Sequence, residues 1–423
     1  MRILWISSTF NPRLQQTDSD YNGGGWISSL QRLLVCQEDI QLAIAYCSET
    51  RQLPVTVHDT TYYAVYVRPQ SSFQKLKLYY GGYRNIDDTP LQSQLQDIVK
   101  DFRPDLIQVF GIEDPLATVV HVTDVPCVIH LQGILGPISK AYFPPGTNMS
   151  TLLRPFSVRE AILRNGLGYA KRYMDVRAKR EERLFQAMKY CMGRTEWDWQ
   201  VTRLLSPGST YLHCGEVLRD AFYRNAGKWT APPSSPFRIV STISETFYKG
   251  LDFILNTACL LKEHTPLKFQ WLIVGMQEHS LYQRIIERIQ RVQSATVDVE
   301  YCGVLTEHEL ADLLLSVHVY VHASYIDNSS NSLCEAQMLG VPVIGTYVGG
   351  IPSLVKHGET GYLVPTNAPY DLAHLLCELH DHPDRAAAIS ANAAQTARCR
   401  HDKQQIVDEL LSNYRQIYAI HQG

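Results

Sequence analysis

The chain has 423 residues, 45% of them hydrophobic and 19% charged, enough to bury the cores of two domains. A formal charge of −3 and a pI near 6.6 leave no overall basic footprint and argue against a polynucleotide partner. Ten cysteines, at positions 36, 47, 127, 191, 214, 259, 302, 334, 377 and 399, show no C-x-x-C spacing, and several lie in apolar runs. They read as buried free thiols of a reducing compartment.

The opening residues MRILWISS read directly as a strand, without a charged n-region, an apolar h-region or a cleavage site, and no apolar stretch reaches spanning length. The expected location is cytoplasmic, with peripheral contact at the inner membrane face left open. Asp18-Ser19-Asp20 has the D-x-D spacing of a divalent-metal site but lies in a polar loop, where it reads as turn chemistry. No histidine or cysteine cluster has metal-ligand spacing either, so no metal and no cofactor is expected. Gly23-Gly24-Gly25 leads into a helix starting near Trp26. Its backbone can approach a phosphate closely, although such loops are often only flexible.

Through the first half, the apolar runs ILWIS, QLAIAYC, YYAVYV, DLIQVF and CVIHLQG alternate with helical patterns such as 26–35 and 90–102, which predicts a parallel sheet covered by helices. His130-Leu131-Gln132-Gly133 ends one of these strands. A lone histidine on an apolar strand is more often a hydrogen-bonded core residue than a catalyst. The segment 154–183 carries nine Lys/Arg against four Asp/Glu, with Tyr169, Tyr173 and Met174 interleaved. A solvated helix face accounts for it slightly better than a surface for lipid phosphates. Arg194-Thr195-Glu196-Trp197-Asp198-Trp199 follows the short strand MKYCMG and starts another helix.

The Pro/Ser-rich stretch GKWTAPPSSP, 227–236, reads as a linker. From Phe237 the βα rhythm restarts with FRIVSTIS, a helix over 250–263, FQWLIVG, a helix near 280–292, VEYCG, a helix opened by Thr306 and Glu309, and VYVHAS. The expected fold is therefore α/β with two doubly wound domains: 1–226, 227–400, and a C-terminal helix in 401–423 that packs back toward the first domain. Lys249 falls between the first strand and first helix of the second domain, where it can neutralise an anion or simply be solvated.

The most informative stretch is 319–365. The strand VYVHAS and the bend YIDNSSN lead to Ser332-Leu333-Cys334-Glu335, a capping-box spacing that on its own only starts a helix. Asp327 and Glu335 stand eight apart. Gly340-Val341-Pro342-Val343, Gly349-Gly350 and Gly358-Glu359-Thr360-Gly361 follow. A helix N-terminus flanked by two carboxylates suits a nucleoside diphosphate joined to a polyol.

These motifs resemble those of the family 4 retaining glycosyltransferases: E-x7-E, E-A-x-x-x-G-x-P-V, G-G-x-x-E and G-x-x-G. Asp327 replaces the first glutamate. The stretch 194–199, with Glu216-Val217-Leu218-Arg219-Asp220, is similar to a bacterial surface-polysaccharide subset. The resemblance implies the GT-B fold, two Rossmann-like domains facing across a cleft. It implies a metal-independent hexosyl transfer from a nucleotide sugar to a glycan or lipid-linked saccharide. By its motifs, Glu335 would hold the ribose and Asp327 the sugar hydroxyls. Lys249 and amides around Asn331, Ser332 and Leu333 would stabilise the diphosphate. Asn328, Ser330, Gln132 and the loop glycines Gly24 and Gly25 would complete the donor contacts. The arginine usually found about five residues before the lysine is missing from 241–245, and Gln132 stands where a histidine is common. A nucleotide-sugar epimerase and a non-catalytic nucleotide-sugar-binding subunit are the competing readings.

Overall fold

A computed structural model describes residues 1–8, 25–69, 71–82, 87–147, 167–233 and 235–422. Asp18, Asp20, Gly23, Gly24 and the first part of the basic segment lie outside the described residues. The chain forms two compact units, one of Met1–Ser139, Tyr169–Val217 and His401–Gly423, the other of Lys140–Gly168 and Leu218–Arg400.

The first unit is built on an eight-stranded sheet of β1 (Arg2–Ser7), β2 (Gln41–Ser48), β3 (Val55–Val57), β4 (Thr60–Tyr66), β5 (Leu106–Phe110), β6 (Cys127–His130), β7 (Tyr190–Gly193) and β8 (Thr210–His213) in the order β3-β4-β2-β1-β5-β6-β7-β8. Every pair is parallel except β3 with β4. That hairpin is absent from the sequence reading. Its turn residues His58 and Asp59 both take positive φ, as a two-residue hairpin loop requires. Central strands are mostly apolar because helices cover both faces: β1 buries Ile3, Leu4, Trp5 and Ile6 completely. Helix α1 (Gly25–Leu34) follows β1 and lays Trp26, Ile27, Leu30 and Leu34 on the sheet.

The C-terminal helix, Lys403–Gln422, belongs to the first unit and is tied to its core by buried polar bonds. The Trp5 indole donates to Tyr414 Oη at 2.9 Å, and the Tyr414 hydroxyl donates to Gln108 Oε1. Gln108 Nε2 then donates to His130 Nδ1 at 3.1 Å, so the imidazole carries its proton on Nε2. Burial and the charges of Arg194 and His213 hold His130 well below its usual pKa. It is a neutral core residue stacked on Phe110.

The second unit is a wholly parallel sheet of β9 (Phe237–Thr242), β10 (Phe269–Val274), β11 (Val299–Gly303), β12 (Val319–His322), β13 (Val343–Thr346) and β14 (Tyr362–Val364), ordered β11-β10-β9-β12-β13-β14. Numbered within the unit this is 3-2-1-4-5-6, the doubly wound order in which connections leave in opposite directions from the first and fourth strands and open a crevice at their carboxyl ends. Those strands are β9 and β12, paired through Val319 with Ile239 and Tyr320 with Val240.

The second unit also takes in Leu218–Ala226, which the sequence reading places in the first domain. Leu218, Ala221 and Phe222 are buried in one cluster with Trp229, Leu339 and Val341, so the chain commits to the second core before the proline-rich stretch begins. All ten cysteines are unbridged; Cys127, Cys191, Cys214 and Cys334 are buried, whereas Cys36 and Cys399 are exposed. Among the described residues no helix is long and apolar enough to cross a membrane.

Replacing Tyr414 by Phe keeps the ring and removes a donor and an acceptor from a buried chain. Urea unfolding is expected to show a loss of about 1–3 kcal/mol, and an unchanged midpoint would mean that the chain does not hold the C-terminal helix.

Candidate functional site

The carboxyl ends of β9 and β12 carry the residues that the sequence singles out. After β9 a single 3-10 turn, Phe247–Lys249, leads to Gly250 and to helix α2 (Leu251–His264). Gly250 is left-handed, with φ +80°, and a Cβ there would lie 2.0 Å from the carbonyl oxygen of Ala323. Only glycine lets the two loops meet this closely. Across that contact the Tyr325 amide donates to Tyr248 O at 2.8 Å, which fixes Lys249 opposite the turn after β12.

Lys249 Nζ donates to Asp327 Oδ2 at 2.7 Å, and His322 Nε2, from the last residue of β12, lies 2.9 Å from the same oxygen. Asp327 Oδ1 accepts from the Asn328 amide at 3.0 Å. Burial acts against both charges, but the pairing outweighs it. Lys249 is held above its usual range by Asp327, with smaller help from Tyr248, and Asp327 well below its own by Lys249 and His322. Both remain ionised across the neutral range. The sequence reading gives them separate contacts; the structure makes them one ion pair. It also adds His322, whose signal was a polar residue at the carboxyl end of an otherwise apolar parallel strand.

Gly349 and Gly350 close over this turn. Gly350 N donates to Asp327 O at 3.1 Å, and a Cβ on Gly349, φ +48°, would fall 1.9 Å from that oxygen. The other glycine motifs are architectural. Gly340 is the left-handed cap of helix α3 (Asn331–Leu339), and Gly358 N donates to Gly361 O in a tight turn before β14.

Helix α3 starts earlier than the Ser332/Glu335 spacing suggests. Its N-cap is Ser330, in extended conformation, whose hydroxyl accepts from Leu333 N at 3.4 Å. This bond withdraws the Leu333 amide from the diphosphate contact that the resemblance implies, and the Leu333 side chain is fully buried. Asn331 and Ser332 form the first turn. Glu335, one turn in, has no capping role. It receives Arg219 Nε on Oε1 and Arg219 Nη2 on Oε2, both at 2.7 Å. Burial pushes the Glu335 carboxyl up, and Arg219 pulls it part of the way back.

Gly25 and Gln132 belong to the first unit. Gly25 is the first residue of α1, its carbonyl accepting from Ser29 Oγ at 3.2 Å, and Gln132 Nε2 donates to His130 O at 3.4 Å. The 194–199 stretch is also built into that unit's framework: Thr195 and Asp198 form a reciprocal capping box, and Arg194 pairs with buried Glu216. Among the described residues no group of three or more His, Cys, Asp or Glu is placed to hold a metal ion.

Residues 237–382 match the family model described as Glycosyl transferases group 1. The chain is similar to the D-inositol 3-phosphate glycosyltransferase of Rhodococcus opacus, 36% identical over 170 residues that make up 40% of this chain and 38% of the relative. It is also similar to an Escherichia coli K12 protein provisionally named colanic acid biosynthesis glycosyltransferase WcaL, 29% identical over 189 residues, 43% of this chain and 45% of that one. The match thus spans less than half the length of these relatives. Among solved structures, sucrose-phosphate synthase from Thermosynechococcus elongatus superposes with a TM-score of 0.72 over 99% of both chains at 15% identity. Anabaena Alr3699/HepE in complex with UDP-glucose gives 0.64 over 98% of this chain and 100% of that one at 16% identity.

The fold is GT-B. In its second unit, the motif residues Lys249, Asp327 and Glu335 stand at the topological switch point, where doubly wound sheets take their ligands.

The ion pair has a defined pH signature. Asp327 is depressed, so its contribution is complete above the unfolded value of about 4 and is lost as pH falls toward the native value. Lys249 is raised, so its contribution is complete below about 10.4 and is lost only as pH rises beyond it. Asp327→Asn is expected to cost about 2 kcal/mol at pH 7, less than for a fully buried pair because both side chains keep some water contact. In urea unfolding the gap to wild type should shrink at pH 3. A gap of equal size at both pH values would remove the charge pair as its cause.

Proposed function

We propose that the protein is a retaining, metal-independent glycosyltransferase that moves a hexose from a nucleoside-diphosphate sugar to a glycan or lipid-linked saccharide in polysaccharide biosynthesis. The observation that carries this reading is the Lys249–Asp327 pair beside the N-terminus of α3, at the switch point of a domain matching Glycosyl transferases group 1. The Anabaena neighbour in complex with UDP-glucose supports the donor class, and the Escherichia coli relative named for colanic acid supports the acceptor class.

In this reading Glu335 accepts from the ribose hydroxyls and Asp327 from those of the sugar. The Lys249 ammonium and the first-turn amides of α3, at Asn331 and Ser332, face the diphosphate, where negative charge grows as the bond from the anomeric carbon to the phosphate oxygen breaks. Among the described residues of this site no carboxylate stands apart as a nucleophile, since Asp327 and Glu335 are both held by cations. The acceptor oxygen then attacks on the face the phosphate leaves, and its proton passes to the departing phosphate oxygen. The bond that forms has the configuration of the one that breaks. Asn328 and Ser330 are further donor contacts in this proposal.

A thermal-shift panel of UDP-, GDP- and ADP-sugars tests the pocket. One donor is expected to stabilise the wild type and not Glu335→Ala, whereas no shift with any donor would overturn the assignment. With that donor and a saccharide acceptor, Lys249→Ala should lower turnover by about tenfold or more, and chelator should leave turnover unchanged. A near-normal rate in the variant would remove Lys249 from the mechanism, and a loss restored by added metal would revive Asp18 and Asp20 as metal ligands.

A further inference from the structure

Arg219 lies upstream of the 237–382 segment that matches the family model, and neither the E-x7-E spacing nor the glycine motifs point to it. Its guanidinium nevertheless reaches the most buried carboxylate of the candidate site. Glu335 is 2% exposed, and a carboxylate so placed is costly unless a cation and hydrogen bonds meet it. Arg219 meets it with a two-pronged contact, Nε to Oε1 and Nη2 to Oε2, each 2.7 Å. This geometry fixes the plane of the carboxylate as well as its position.

Each carboxylate oxygen has room for two donors. Arg219 fills one place on each, leaving one on each for another pair of donors, such as the vicinal hydroxyls of a ribose. The guanidinium is itself held. It lies over the buried Phe222 ring, 5.0 Å from the centroid, and the neighbouring Leu218 amide donates to Tyr223 Oη at 3.1 Å. Leu218 and Phe222 are both part of the second unit's core. A lysine could supply the charge but not the planar fork.

We propose that Arg219 is a positioning residue for nucleotide recognition: it orients the Glu335 carboxylate and keeps it ionised, so that Glu335 can accept from a ribose diol. This rests on the donor-site reading above and adds to it the residue that makes Glu335 competent.

Among the described residues, the charges that act on Glu335 are those of Arg219, which favours its ionisation, and Glu307, which opposes it. Without Arg219, both burial and Glu307 favour the protonated acid at neutral pH, and the acid ionises as pH rises. The test is calorimetric binding of UDP, GDP and ADP to wild type, Glu335→Ala, Arg219→Met and Arg219→Lys at pH 7 and pH 9, with folding checked by circular dichroism. The probe that binds wild type is expected to bind Arg219→Met more than tenfold more weakly at pH 7, with at least part of the loss recovered at pH 9 relative to wild type. Arg219→Lys, which keeps the charge and loses the fork, should fall between the two at both pH values, and Arg219→Gln carries the pH comparison if Arg219→Met does not fold.

Wild-type affinity in folded Arg219 variants, or a loss of the same size at both pH values in the variant that removes the charge, would overturn the proposal while leaving a Glu335-dependent donor site intact. Failure of all three nucleotides to bind wild type, or binding unaffected in Glu335→Ala, would overturn the donor-site reading and this proposal with it.

Discussion

Charge buried at the edge of a parallel sheet has to be answered by charge, and the second unit is organised around that requirement. Asp327 stands where β12 runs out, largely removed from water, and is held by Lys249 from the loop after β9 and by His322 from its own strand. The two loops can supply these groups to one point only because Gly250 lets the Ala323 carbonyl approach, and Gly349 lets a third loop, after β13, close on the Asp327 carbonyl. The strand order places β9 and β12 side by side, and the glycines bring their loops into contact. The ion pair then sits at the mouth of a helix whose first-turn amides carry partial positive charge.

The same reasoning explains why much of this arrangement was legible in the sequence. Alternation of apolar runs with helical patterns is a strong signal when strands are covered on both faces, and β1, β2, β4, β5, β6, β9, β10, β11 and β12 all fall on the runs read as strands. Asp327 and Glu335 stood out by their spacing within one short segment, and Lys249 by its place between the first strand and first helix of the second domain. Contacts made between segments distant in sequence left much less trace. Arg219 reaches Glu335 across 116 positions, and although the stretch 216–220 stood out by resemblance, nothing in it pointed to Glu335 as its partner. His322 had only its polarity at the end of an apolar strand to mark it.

The helix start was misplaced for a related reason. Ser332 and Glu335 have the capping-box spacing, but Glu335 is engaged by Arg219 and the cap falls to Ser330. A tertiary ion pair thus outweighed a local hydrogen-bonding preference, since a buried carboxylate gains more from a forked guanidinium than from one backbone amide. The divide between the units moved for reasons of packing. Proline and serine mark where the backbone lacks regular structure, whereas Leu218 and Phe222 mark where the second core already begins.

The membership of the C-terminal helix in the first unit bears on how the protein is made. The ribosome releases residues in order, and nearly all of the second unit, up to Arg400, emerges before the helix that carries Tyr414. Until then Trp5 and Gln108 have no Tyr414 to bond, and the first sheet lacks part of its cover. The unit that begins first in synthesis is therefore the one completed last, and its unfinished face stays open to a chaperone for as long as it takes to translate the other.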